Sequence, residues 1–400
     1  MEGLEQGQGQ GEARPVRVCV VGPGVRFMSG ISYHTVGLCN ALSDAGTCVV
    51  SAILLRRLLP QRLYPGRARV GRVASRLALR PTIPRVDGVD WHWLSTLPGA
   101  VWFLARQRPD VLVLQWWTGT VLHTYLALAL VARLLGTRVV VEFHETLDGG
   151  EERLGWACRY VGLMGPWLWR LASSYVVHSD YDRRRISNHY LLAPEDVRVI
   201  PLAPANHYSS GGGVRRRDAP EGCCNLLYLG VIRPYKGLEE LIAAFDDIPP
   251  DRIDRYWLTV LGETWQGYHE PAALIARSPY RHRVTFANHY LGDDELDGFV
   301  QGADLMVLPY RRSTASGPLS IAMHEGLPVV VTAVGGLPEA VAGYGGAVLV
   351  SAANPRTLRQ AIEEASDLRG QRYHSPHTWD LAACLYSQLF DRLRVQPLRR

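Results

Sequence analysis

One stretch constrains the fold of this chain more than any other: Leu226–Phe245, within N-L-L-Y-L-G-V-I-R-P-Y-K-G-L-E-E-L-I-A-A-F from Asn225. Its apolar run (Leu226, Leu227, Leu229), ending at Gly230, is the pattern of a strand buried on both faces in a parallel sheet. After a basic turn, Val231–Tyr235, the pair Lys236-Gly237 opens a helix with Leu238, Leu241, Ile242 and Phe245 on one face. Strand, turn and helix in that order aim the first free N–H groups and the positive dipole end of the helix at the turn, where an anion can sit. Arg233 and Lys236 flank that position.

Composition sharpens the point. The chain has 43 Lys plus Arg, and Lys236 is the only lysine among them. A lysine that escapes so strong a bias toward arginine argues for a compact point charge where a planar fork would not serve. Chance survival of one surface lysine is the alternative, and its place inside the strand–turn–helix unit speaks against it.

A chain of 400 residues suits two domains of roughly 150–200 residues each. Residues 1–15 read as a flexible tail, 16–205 as an N-terminal Rossmann-like domain and 206–222 as a Gly/Ser/Pro-rich linker. Residues 223–372 read as a second Rossmann-like domain and 373–400 as a C-terminal helix. A scattered net charge of +5 gives no reason to expect nucleic acid. The seven cysteines show no C-x-x-C spacing, which suits reduced thiols. The tail lacks the apolar centre of a signal peptide. The longest apolar run, Val121–Leu135, is interrupted by His123 and Arg133 and is too short to span a bilayer. A cytoplasmic protein, soluble or peripheral on the cytoplasmic membrane face, is the expectation.

In chain order, Val16–Val21 is a first strand, followed by Gly22-Pro23-Gly24, Ser29-Gly30 and a helix with Ile31, Thr35, Leu38, Leu42 and Ala45 on one face. The third glycine of a dinucleotide fingerprint is missing, which removes most support for a dehydrogenase. Arg56–Arg85 carries nine arginines and reads as a solvated loop or as a basic face toward anionic lipid or a pyrophosphate-bearing acceptor. Trp91, Trp93, Trp102, Trp116 and Trp117 are expected mostly in the core. Arg138–Phe143 is a strand closing at His144-Glu145, which puts His144 on the ligand side of an open α/β sheet. A second unit, Pro309–Gly336, runs strand, Ser/Gly turn, helix and strand, and again points helix-end amides into the cleft.

G-x-x-R-P-Y-K-G-L-x-x-L-I-x-A-F resembles the phosphate-binding turn of retaining nucleotide-sugar glycosyltransferases of family 4, which adopt the two-domain GT-B fold. The resemblance covers most of residues 16–390 and is stronger in the second half. It implies two Rossmann-like domains facing across a cleft, with the terminal helix crossing back to the first. It implies a metal-independent transfer, with retention, of a sugar from a nucleoside diphosphate to a hydroxyl acceptor: a glycan, a glycolipid or a small molecule. Arg233 and Lys236 would hold the diphosphate and His144 would orient the sugar. Gly30, Tyr290 in the Ala287–Leu291 loop, Ser316, Gly317 and Glu339 would contact the donor. UDP and GDP are not distinguished, and no further cofactor is implied. The chain departs from the family in two respects. The usual paired glutamates ahead of A-M-x-x-G-x-P-V-V are replaced by Ser313 and Ile321, and Val231 stands where an arginine is commoner. A GT-B epimerase or phosphorylase, or a non-catalytic nucleotide-sugar-binding protein, therefore stays open as an alternative.

Overall fold

The computed structural model describes residues 14–25, 30–57, 76–90, 93–145, 155–204, 215–265 and 267–397. The first half alternates strand and helix: β1 (Val16–Pro23), α1 (Gly30–Asp44), β2 (Cys48–Arg57), β3 (Arg85–Asp90), α2 (Trp93–Gln107) and β4 (Val111–Trp116). It continues with α3 (Leu122–Leu134), β5 (Arg138–Phe143), α4 (Gly155–Leu171), β6 (Ser174–Val177), α5 (Asp180–Tyr190) and β7 (Val197–Val199). Its seven strands lie in the order β3-β2-β1-β4-β5-β6-β7, every pair parallel. The order reverses between β1 and β4, so the crevice past their carboxyl ends is the natural ligand site.

The second half repeats the scheme with β8 (Cys224–Leu229), α6 (Leu238–Asp246), β9 (Tyr256–Leu261), α7 (Glu270–Arg277), β10 (Val284–Ala287) and α8 (Asp293–Gly302). Next come β11 (Leu305–Leu308), α9 (Gly317–His324), β12 (Val329–Thr332), α10 (Leu337–Ala340), β13 (Ala347–Val350) and α11 (Pro355–Ser366). These six strands are ordered β10-β9-β8-β11-β12-β13, again all parallel. Here the reversal falls between β8 and β11, the strands that lead into the Lys236 turn and into the Ser316 turn.

Both sheets are apolar on both faces because helices cover each side. A last helix, α12 (Trp379–Val395), starts at Thr378, whose side chain accepts from Leu381 N. It returns to the first sheet and packs on α1, burying Tyr386, Leu389 and Phe390. A Cβ on Gly37 would come within 2.2 Å of Trp379 Cζ2, so the glycine is what lets the two helices close.

The end of the expected linker is held against the second domain, where Arg216 N donates to Gly298 O and Arg217 pairs with Asp304 at 2.8 Å; residues 205–214 lie outside the described part. Residues 1–13 of the expected tail also lie outside it, while Arg14 bonds Asp110. Of the Arg56–Arg85 stretch, 58–75 lie outside the described residues. Arg56 pairs with Asp90, Arg76 with Asp294 and Arg80 with Asp44, so these three cations already have partners in the protein. Trp116 and Trp117 are core, whereas Trp102 is 63% exposed. Trp91 and the side chain of Trp93 lie outside the described part.

Candidate active site

The second-domain part of the site is built on bare backbone. Past β8, Gly230 has φ +126 and Gly237, which caps α6, has φ +64. A Cβ at Gly237 would sit 2.0 Å from Pro309 O, which ties the turn after β8 to the turn after β11. The Lys236 ammonium folds back so far that a Cβ on Gly230 would lie 2.9 Å from its Nζ and 3.3 Å from Pro318 Cγ. It also stands 5.1 Å from the Tyr310 ring centroid. Lys236 thus lies beside the start of α9. Burial pushes its pKa below the usual value; Tyr235 and Glu145 oppose that shift and Arg233 adds to it. Among the described residues it makes no ion pair. Glu145 follows β5 in the first domain, so the Lys236 turn faces that strand end across the cleft.

The sequence expected α6 to supply the anion-holding helix start, but its first turn carries Glu239 and Glu240, both bridged to Arg311. Those acids already complement its dipole. The Lys236 ammonium and Pro318 in the first turn of α9 both lie against Gly230. Ser316 caps α9, its Oγ accepting from Leu319 N at 3.2 Å, so this hydroxyl is occupied in the cap. A Cβ on Gly317 would meet nothing within 4 Å, so the space beside its Cα is open. Arg233 lies flat on Trp265, 3.8 Å from the ring centroid, which holds the guanidinium plane in place.

Under the first-domain lip lies a buried polar cluster. Strands of an interior sheet are expected to be apolar, yet β4 carries Gln115 and β5 carries Glu142, both fully buried. Glu142 Oε1 accepts from His34 Nε2 and its Oε2 from Gln115 Nε2, each at 2.6 Å. His144 Nε2 meets Gln115 Oε1 at 2.5 Å, His144 Nδ1 meets His178 Nε2 at 3.2 Å, and His178 Nδ1 donates to Ile200 O at 3.0 Å. Burial alone would raise the Glu142 pKa, but His34, His144 and His178 hold it well below the usual carboxylate range. Burial pushes His144 well down and His178 down to about 4. These four residues bring one possible metal-ligating atom each within 4.8 Å of one another, the one such group among the described residues. Glu142 bonds His34, His144 bonds His178, and Gln115 joins the two pairs, while His34 Nδ1 has no hydrogen-bond partner among the described residues. His144 therefore stands at the expected strand end, but both its ring nitrogens face the cluster.

Of the remaining expected donor contacts, Tyr290 and Glu339 reach the first domain. Gly30 opens α1, and a Cβ there would meet nothing. Gly22 is a packing glycine, since a Cβ would lie 2.6 Å from Thr35 Oγ1. The Tyr290 hydroxyl lies 3.3 Å from that of Tyr33 in the first domain. Glu339 accepts from Asp180 N at 2.5 Å and from Tyr181 N at 2.9 Å, capping α5 of the first domain. Thr314 Oγ1 donates to His144 O at 3.3 Å. Sequence reasoning singled out neither His34, Gln115, Glu142 nor His178. The available signal was a charged residue inside the apolar run V-V-V-E-F, which a buried strand tolerates only with partners.

Two Rossmann-like sheets across a cleft, with a terminal helix returning to the first, define the GT-B architecture. Sucrose-phosphate synthase from Thermosynechococcus elongatus shares it, with TM-score 0.64 at 16% identity over 94% of this chain and 99% of that one. So does Anabaena Alr3699/HepE in complex with UDP, with TM-score 0.59 at 15% identity over 94% and 97%. Residues 29–203 match the glycosyl transferase 4-like domain and residues 217–377 match glycosyl transferases group 1, and the chain belongs to this glycosyltransferase family. Among curated relatives, a D-inositol 3-phosphate glycosyltransferase of Salinispora tropica is 33% identical over 72% of this chain and 60% of its own length. One of Corynebacterium aurimucosum is 26% identical over 49% of each. The matches thus span between about half and three fifths of these relatives' length.

Proposed function

We propose that the chain transfers a sugar, with retention, from a nucleoside diphosphate sugar to a hydroxyl acceptor, and that it needs no divalent metal. One observation carries this reading. The ammonium of Lys236, without an ion-pair partner among the described residues, lies against Gly230, as does Pro318 in the first turn of α9. An ammonium, an adjacent guanidinium and the amides of a helix end neutralise the charge that grows on a departing diphosphate. His144, with its ring fixed by Gln115 and His178, stands beside the transferred sugar. The acceptor is a glycan, glycolipid or small molecule, in a cytoplasmic enzyme of cell-envelope polysaccharide synthesis.

The test is Lys236→Met in a donor-binding and turnover assay run with excess EDTA. Losing one charge-assisted contact costs about 1.5–3 kcal/mol, roughly 10- to 150-fold, in nucleoside diphosphate affinity, while the wild type keeps its rate in EDTA. Unchanged affinity in the variant would refute the cradle, and a rate restored only by magnesium or manganese would refute metal independence.

A further inference from the structure

The face of the first domain formed by α2, α3 and α4 has a composition the donor chemistry does not use. The three helices are neighbours, α2 against α3 and α3 against α4, and none contains an Asp or a Glu. On α4, Trp156, Leu163 and Trp167 are 68%, 73% and 57% exposed. Their spacing of seven and four residues places them along one outward stripe, and Arg159 and Arg170 lie on the exposed side as well. Trp102 of α2 and Leu134 of α3 extend the same apolar surface.

We propose that this face docks on an anionic lipid bilayer. Exposed tryptophans with leucines between them suit the boundary between headgroups and acyl chains. The cations suit the charge of the headgroups: Arg106 and Arg170 flank Trp102 and Trp167, 5.5 and 5.4 Å from the ring centroids. Arg106, Arg159 and Arg170 have no acidic partner among the described residues. A second copy of the chain suits the face poorly. A two-fold contact would set arginine against arginine, with no carboxylate on these helices to separate them. The surface is distinct from Arg56–Arg85, where Arg56, Arg76 and Arg80 among the described cations are paired within the protein.

The experiment is co-sedimentation of the full chain with vesicles of phosphatidylcholine alone and with vesicles that also contain phosphatidylglycerol. Two variants are compared with the wild type, Trp156→Ser/Trp167→Ser and Arg159→Glu/Arg170→Glu. All the substituted side chains are exposed, so the melting temperature and nucleoside diphosphate binding are expected to stay at wild-type values. Each cation near an anionic surface contributes about fivefold. The arginine pair should therefore lower partitioning onto phosphatidylglycerol vesicles by at least about 25-fold, and the tryptophan pair should lower it on both compositions. Absence of wild-type binding to either vesicle, or binding that neither variant weakens, overturns the proposal. A dimer in light scattering that the tryptophan pair abolishes assigns the face to a second copy and overturns it equally.

Discussion

Two residues hold charge or titrating protons inside this protein in opposite ways. Lys236 is kept in a half-buried place with Glu145 near enough to act on it but with no ion pair among the described residues, which leaves its charge for a ligand. His178 is buried in a network that already has its counter-charge in Glu142. The network makes stability depend on pH, and the sign follows from His178. An imidazole near 6.5 when unfolded is pushed by burial to about 4 in the fold, with Glu142 opposing and His34 adding. The unfolded chain therefore takes up this proton first. The stabilising difference is fully present above about pH 6.5 and is lost as pH falls from there toward about 4. At 1.36 kcal/mol per decade it is on the order of 3 kcal/mol, and His144 shifts in the same direction. Denaturant midpoints measured between about pH 7 and pH 4 should fall steeply for the wild type and more gently for His178→Asn. Parallel profiles would show that the cluster does not titrate as its geometry implies.

At the scale of the element, α9 is where this chain departs from its family and where its donor preference is most exposed to test. Ile321 points into the core, and Glu325 caps the far end of the helix. Glu339 is engaged with α5. Neither carboxylate stands at the helix start where a ribose would lie. A charged hydrogen bond to ribose contributes about 1.5–3 kcal/mol, and without one the 2′-deoxy donor should be used within roughly tenfold of the ribo donor. The ratio of kcat/KM for the two donors checks this in the wild type and in Glu325→Gln; a wild-type ratio far above a hundredfold would place a clamp that α9 does not provide. The β8 and β11 turns were legible in the sequence because apolar runs and glycines mark a buried strand and its exit. The helices α2 and α4 were not, because Pro98 and Pro166 lie inside them and proline ordinarily interrupts a helical pattern. Strand β3 was missed because its residues are Arg, Asp and Gly as much as Val, the composition of an edge. The Glu142 cluster was illegible for a different reason: its members come from α1, β4, β5 and the ends of β5 and β6, and only the strand order brings them together.

The whole molecule is two bodies joined by a covalent crossing, a returning helix and a few polar contacts. Helix α12 ties the chain's end to the first domain through an apolar face, and that attachment is independent of the cleft. The cleft itself is bridged by Glu339 on the amides of α5, by Thr314 on His144 O, and by Tyr33 with Tyr290 and Asp293. Interfaces of this polar kind leave relative domain motion as the default, so single contacts are large enough to set the balance between open and closed. Glu339 is the strongest of them, a carboxylate on two N–H groups at a positive helix end. Its side chain is 38% exposed, so solvent reduces its contribution to about 1–2 kcal/mol. Glu339→Ala should therefore open the ligand-free protein, raising its radius of gyration in X-ray scattering. The rate should fall roughly fivefold to thirtyfold while nucleoside diphosphate affinity stays the same, because Lys236 and α9 both belong to the second domain. Glu339→Gln, which keeps one accepting oxygen, should fall between the two. If nucleotide affinity drops in step with the rate, Glu339 contacts the donor directly; unchanged scattering and rate in both variants would show that the capped helix does not govern closure.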